Sequence, residues 1–552
     1  MPRRAEGIVH ALKDAGVTTI FGIPSIHNIG LYESLRAERS IRHIVCRHEA
    51  AATHMADGYA RASGGVGVII SSTGPGAGFT ISALQEAWGS CSPVLMLTTN
   101  IDAAKIGKGL GTLHELEEQT ALFRTITKAT FAVQSGDDFR AVTTQAINTA
   151  LGGRPGPVCV EVPTDLLAGE VTTSHPNPLL REERRTPLPS QGERRGEGVS
   201  LPKRIDEAVS LLRRAKQPIL IVGTDATRAN LAADVTALAE ALCAPVISST
   251  PGKGVIAEDH PLSFGNAARR LVVKEITPGC DVALAIGTRL REVDAKRRGL
   301  VLPEHLIHVD WDERWIGKNF PPAVPLVGDI RVIAQELRRQ LAGEPYAGQR
   351  QERVAEWRRQ ADAEINQLRQ ELPEIRYLDA IRRLLPRDSA LVIDNTQLGY
   401  WAEYFYPSCQ PNGLIAAKGS ALLGFSFPGA IGAKLARPDK PVVSLIGDGG
   451  FLYTSQELAT CVRHGIGFPL IVVNDNAYGV IGYLQRTAYQ EEYESRLTNP
   501  DFVAFAASFG VAATRVQSPE ELAQALEKAL TSGKMQLIEL QTEIAAPPFG
   551  RY

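Results

Sequence analysis

Residues 441–451, PVVSLIGDGGF, read as a buried strand running into Gly447-Asp448-Gly449-Gly450, and residues 469–476, PLIVVNDN, as a second strand ending in Asn474-Asp475-Asn476. An acid at a strand's C-terminal end, flanked by glycines that let backbone N–H groups reach a ligand, suits a metal and a phosphate. A helix read over residues 455–464 joins the two strands. A right-handed βαβ crossover then puts both strand ends at one edge of a parallel sheet, where open α/β sheets bind ligands. Asp448 and Asp475, 27 positions apart, can therefore converge. Either motif alone reads as a turn or a helix cap; the pair on successive strand ends is more specific. A third acid, Glu49, lies where a strand end meets an apolar helix, in RHEAAATHMADGYAR. A zinc site fails there, because HExxH needs His at position 52, which is Ala. His48 and His54 are six apart, and at ~100° per residue they fall on different helix faces. Taken alone, Glu49 is a helix N-terminal charge favoured by the dipole.

Together, GDGGF, ELAT and NDN resemble the thiamine-diphosphate motif of the acetolactate synthase and pyruvate decarboxylase group. The resemblance implies Mg²⁺ ligands at Asp448, Asp475 and the backbone carbonyl of Ala477, with Gly449 and Gly450 beside the cofactor. Relatives usually carry Asn where this chain has Asp475, so one negative charge is added while a hard oxygen ligand is kept. RHE…GYAR resembles the element whose Glu hydrogen-bonds N1′ of the cofactor's aminopyrimidine, which assigns that role to Glu49; a carboxyl held partly out of water can share its proton there. His48 is expected to pack or orient. STGPGAG, with Gly74, resembles the family's SGPG turn. In KGSALLGFSFPGAIG, Leu423 corresponds to the aliphatic residue that bends the cofactor, and the Ala421 carbonyl to the acceptor from its 4′-amino group. Gln397, in DNTQLGYW, would bond the diphosphate; the frequent neighbouring His is Leu398 here. His27 and His114 fall in loops that approach the reaction centre in relatives, where each would stabilise a developing alkoxide or relay a proton. Acetolactate synthases hold FAD through GMHG-like and GARFDDR-like stretches, which here read Gly265-Asn266-Ala267-Ala268 and Gly287-Thr288-Arg289-Leu290-Arg291-Glu292. These departures count against FAD.

These residues need parallel sheets to position them, and helical patterns alternating with short β-branched runs supply the pattern for such sheets. Residues 1–171 form a pyrimidine-binding α/β domain, with strands read at 18–21, 44–47, 66–71 and 94–98. GRPGPVCVEVP, from Gly153, is read as its closing strand. Residues 172–200, rich in Pro, Arg and Glu, read as a linker. A Rossmann-like middle domain spans 201–341, with strands at 218–222, 245–248, 282–286 and 306–309. Residues 342–374 carry a linker helix with a solvated charged face. The diphosphate- and Mg²⁺-binding domain, 375–552, has strands at 390–393, 441–446, 469–473 and 536–540.

The chain's 552 residues exceed one compact core. With 44% apolar and 22% charged residues the composition is globular. Fifty-nine basic against 61 acidic residues, net −2, give no drive toward nucleic acid or anionic membranes. No apolar run approaches the ~20 residues of a membrane helix, and the seven cysteines show no Cys-x-x-Cys, so a cytoplasmic protein with reduced thiols is expected. The expected activity is thiamine-diphosphate-dependent decarboxylation of a 2-oxo acid, the product leaving as an aldehyde or joining a second carbonyl. The loops FGIPSIHN and LHELEEQ resemble those of decarboxylases of longer, amino-acid-derived 2-oxo acids. The rivals are a non-catalytic cofactor-binding protein and a flavin oxidoreductase of the same fold. The family resemblance also implies a homodimer or homotetramer with Glu49 and Asp448 in one site from different chains.

Overall fold

Apolar strand runs flanked by amphipathic helices fold here as three sheets whose central strands are buried on both faces, the arrangement parallel strands require. The computed structural model describes residues 4–167, 182–184, 200–343 and 348–546. The first sheet runs, in spatial order, Arg42–Val45, Thr19–Gly22, Gly67–Ser71, Val94–Asn100, Val158–Pro163, Ala129–Ala132 and Glu182–Arg184. All its pairings are parallel except the last, where Glu182–Arg184 lies antiparallel against Ala129–Ala132. Part of the segment read as a linker is therefore edge strand; residues 168–181 and 185–199 of that region lie outside the described residues.

The middle sheet runs Ser263–Asn266, Val246–Ser248, Pro218–Val222, Val282–Ile286, His305–Asp310 and Val324–Val327. The third runs Leu414–Ala416, Ala390–Ile393, Val442–Gly447, Pro469–Asn474, Gln536–Gln541 and Ala512–Val516, all parallel. Its order reverses between Ala390–Ile393 and Val442–Gly447, so Asp394 and Asp448 flank the crevice where such sheets bind ligands. The fold class is as expected. Sequence reading missed Ser263–Asn266, Val324–Val327, Leu414–Ala416 and Ala512–Val516, all at or next to sheet edges. GDGG is not a free turn but opens the short helix Asp448–Leu452, and the helix read at 455–464 starts with a 3₁₀ turn before Leu458–His464.

The outer domains share one hydrophobic cluster, which includes Met55, Ala56, Phe425, Phe427, Ala430 and Phe451. The helix Glu49–Ser63 crosses Ser426–Ala436 with the backbones in contact: a Cβ on Gly58 would lie 2.1 Å from the Gly429 oxygen, and one on Gly432 would lie 1.9 Å from the Met55 oxygen. Any side chain there would drive the two domains apart. The helix Gln349–Glu371 buries Val354, Trp357 and Ala361 against the middle domain and leaves a charged face outward. All seven cysteines are free thiols. No helix among the described residues is long and apolar enough to cross a membrane.

Candidate active site

The end of Val442–Gly447 delivers Asp448 into a buried position, where Oδ1 accepts from the Gly449 amide at 2.8 Å and Oδ2 from the Asn499 amide nitrogen at 2.7 Å. Asn499 also donates to the Asn474 and Asn476 side-chain oxygens, at 3.1 and 3.2 Å, tying the two strand ends together. Burial raises Asp448 above the ordinary carboxylate range. Burial and then the charge of Asp448 push Asp475 up to about 6. The two acids therefore face each other, and the hydrogen-bond donors on Asp448 are neutral amides. Asn476 takes the left-handed conformation at φ +51° and Ala477 is buried beyond it. Two carboxylates plus neutral oxygens, short of positive charge, fit a hard divalent cation such as Mg²⁺. Among the described residues no group of three or more His, Cys, Asp and Glu gathers as an alternative metal centre.

Next to these acids the helix Gly479–Tyr489 presents its N-terminus. A Cβ on Gly479 would lie 2.5 Å from Asp475 Oδ2 and 2.9 Å from Gln397 Oε1, so both side chains converge on a bare backbone. That cradle suits a phosphate carried with its cation. Gly449 and Gly450 pack against Tyr478 and Asp394, respectively.

The loop carrying Ala421 and Leu423 is pinned at both ends by acids that sequence reading did not assign. Glu86, fully buried in Ile81–Gly89, accepts from the Gly419 and Ser420 amides at 2.9 and 2.7 Å. Arg61 neutralises it at 3.2 Å while holding Asp57 one helical turn back in a two-pronged pair. Asp394 accepts from the Ser426 amide at 3.0 Å and the Asn395 amide at 2.8 Å, and burial pushes it up to about 6. Between these clamps Ala421 sits at φ +57°, a conformation that costs of order 1–3 kcal/mol and persists only where its surroundings enforce it. Leu423 is half-buried. Glu86→Gln places an NH₂ against one of the two loop amides and removes the charge that pairs with Arg61, and we expect a loss of about 3 kcal/mol of stability; a denaturant midpoint equivalent to a loss under about 0.5 kcal/mol would contradict the clamp.

In the first domain Glu49 opens its helix behind His48, whose Nδ1 caps the Ala50 amide at 3.1 Å. His48 also stacks on Phe79 at 5.0 Å, which matches the orienting role expected from sequence. The half-buried Glu49 carboxyl accepts no hydrogen bond among the described residues and faces Gly76, where a Cβ would lie 3.3 Å from Oε1. A free carboxyl against bare backbone suits the edge of a flat heterocycle. Gly74, at φ +60°, takes the Gln119 side-chain oxygen on its amide at 2.7 Å, and a Cβ on it would lie 2.3 Å from the His114 oxygen. This close approach seats His114, itself at φ +65°, beside His27 with ring centroids 5.0 Å apart. Burial, then the nearby His114, lowers the pKa of His27. Nδ1 of both rings, Ser25 Oγ, Ser72 Oγ and Glu115 Oε1 are buried without partners, so three loops turn unsatisfied polar atoms into one region.

Within one chain the site residues form two groups. No hydrogen bond among the described residues joins Glu49, Gly74, His27 and His114 to Gln397, Ala421, Leu423, Asp448, Gly449, Gly450, Asp475 and Ala477. In the middle domain, Arg154 of GRPGPV bridges from the first domain to Asp225 at 2.8 Å and Asp310 at 2.6 Å, and the Asp225 amide closes onto the Gly287 carbonyl at 2.9 Å. Carboxylates held by one arginine at the sheet's switch point do not fit the diphosphate of FAD.

The chain matches three family models: Thiamine pyrophosphate enzyme, N-terminal TPP binding domain, over residues 3–122; central domain, over 205–337; and C-terminal TPP binding domain, over 394–540. It is 34% identical to a probable 2-ketoarginine decarboxylase of Pseudomonas aeruginosa, covering 97% of this chain and 93% of that one. Against a probable acetolactate synthase large subunit of Methanocaldococcus jannaschii the identity is 31%, covering 99% and 94%. An acetolactate synthase of Mycobacterium bovis is 30% identical over 95% of this chain and 85% of its own. With all three domains matched in order and relatives aligned along nearly their whole length, the chain belongs to the thiamine pyrophosphate enzymes, in the group that holds the acetolactate synthases and 2-oxo acid decarboxylases.

Proposed function

We propose that this enzyme decarboxylates an amino-acid-derived 2-oxo acid with thiamine diphosphate and Mg²⁺, as a cytoplasmic homodimer or dimer of dimers. When bound, the cofactor supplies the electron sink for the pair released as carbon dioxide leaves. Asp448, Asp475 and the Ala477 carbonyl hold the cation, and Gln397 bonds the diphosphate. Leu423 would pack against the bound cofactor, and the Ala421 carbonyl would accept from its 4′-amino group. Glu49 holds and shares the proton at N1′. His27 and His114 move a proton at the substrate's carbonyl oxygen, and burial disfavours the charged form of His27.

Assembly is supported by the apolar side chains beside the histidines. Ile26, Leu110 and Leu113 are 61%, 62% and 59% exposed, which a second copy would cover. A two-fold interface would then close two equivalent sites. Flavin is not part of the proposal, because of the Arg154 bridge.

The observation that carries the substrate reading is the cluster of unpartnered buried polar atoms, Glu115 Oε1 among them. A buried carboxylate oxygen without a donor calls for a substrate that brings one, such as a guanidinium or ammonium tail. The relative named as a probable 2-ketoarginine decarboxylase supports the same choice. The test is a product screen of purified, thiamine-diphosphate-loaded enzyme across 2-oxo acids with and without an acceptor aldehyde. We expect the highest kcat/KM on a long 2-oxo acid with a cationic end, aldehyde as product and no flavin bands in the visible spectrum. Preference for pyruvate by about tenfold or more would overturn the substrate reading, and a ligated product as the main one would favour the carboligase alternative.

A further inference from the structure

Glu457 is fully buried in the 3₁₀ turn Ser455–Glu457, yet its carboxylate has no ion-pair partner among the described residues. Its backbone donor comes from the other catalytic domain. The Arg47 amide reaches Oε1 at 3.0 Å and Oε2 at 3.3 Å, and from the helix that follows Glu457 the Thr460 hydroxyl donates to Oε2 at 2.6 Å. About two turns on, His464 Nε2 accepts from the Val45 amide at 3.0 Å and the His464 carbonyl from Arg42 at 2.6 Å. The chain from Arg42 to Arg47 is thus held by Glu457 and His464, and Glu49 lies two residues on. A buried carboxyl without a contacting ion-pair partner is costly to keep, and burial, outweighing its hydrogen bonds and the nearby Arg47 charge, pushes this one up to about 7. Gluing two domains does not need such a group, since the shared apolar cluster already does so.

We propose that Glu457 is a positioning residue for Glu49: by accepting from the Arg47 amide it fixes the backbone that presents the Glu49 carboxyl to the cofactor. Its side chain touches neither substrate nor cofactor; it acts through the Arg47 backbone amide, from which both its oxygens accept. A misplacement of about 1 Å costs of order 10²-fold in rate where a proton must be shared along one line. The inference rests on the reading of Glu49 as the group at N1′.

The test measures hydrogen–deuterium exchange at C2 of thiamine diphosphate bound to the Mg²⁺-loaded enzyme, per occupied site, with Glu49→Gln as reference. Cofactor occupancy and Tm are taken on the same samples. Glu457→Ala is expected to slow exchange about 10²-fold per occupied site. Glu457→Gln should stay within about threefold, because its carboxamide oxygen still accepts from Arg47 and its NH₂ donates to the Thr460 hydroxyl, which can turn. Glu457→Ala exchanging at the wild-type rate while Glu49→Gln is slow would overturn the proposal and leave the Glu49 reading intact, and so would Glu457→Gln as slow as Glu457→Ala. Unchanged exchange in Glu49→Gln would overturn both. Should Glu457→Ala not fold, Thr460→Val, which frees one carboxylate oxygen, is expected to slow exchange about fivefold, and no slowing would count against the proposal.

Discussion

Glu49→Gln is expected to retain fold and cofactor and to lower turnover by ~10²–10⁴-fold, the usual contribution of a general acid–base group. The substitution is nearly isosteric. The carboxyl is half-buried against Gly76 and accepts no hydrogen bond among the described residues, so little structure depends on its charge. A carboxamide can still meet a ring nitrogen but cannot take up or release a proton there. The measurement is steady-state kcat with saturating thiamine diphosphate and Mg²⁺, alongside cofactor affinity. Activity within about threefold of wild type would remove Glu49 from the chemistry.

The second large effect is expected at the cation. Asp448→Ala should abolish retention of thiamine diphosphate and Mg²⁺, because it removes the more buried of two facing carboxylates and the group to which Asn499 is bonded. Asp475→Asn should bind both, since a carboxamide oxygen remains a hard ligand and the repulsion from Asp448 is lost. Cofactor content after gel filtration, with metal analysis, checks both. If Asp475→Asn loses the metal while Asp448→Ala keeps it, the ligand assignment is reversed.

Asp448, Asp475 and Glu49 were legible because each follows an apolar run long enough to read as a central strand or opens a helix of strict pattern, and flanking glycines mark the bend. The missed strands have another character. Leu414–Ala416 is three residues long, and Ala512–Val516 is largely exposed at the sheet's edge, so neither shows a hydrophobic run. Asp57 and Arg61 could be read as an i, i+4 pair, but their third member, Glu86, comes from another helix and joins them only after folding. Glu457 lay within the quoted ELAT, yet a glutamate at the start of a helix reads as a surface charge until tertiary structure buries it against the Arg47 amide. Ala421 at positive φ left no trace either, because the strain is imposed by Glu86 and Asp394 from outside the loop.

The central claim is that one active site is built from Glu49 of one chain and Asp448, Asp475 and Leu423 of another. It is tested most directly by mixing inactive Glu49→Gln protein with inactive Asp448→Ala protein under conditions that exchange subunits, and measuring decarboxylation. In a mixed dimer one site pairs wild-type Glu49 with wild-type Asp448 while the other carries both defects, so activity should return to about a quarter of wild type when exchange is statistical. No recovery, with exchange proven by differently labelled subunits, would show that each chain builds its own site.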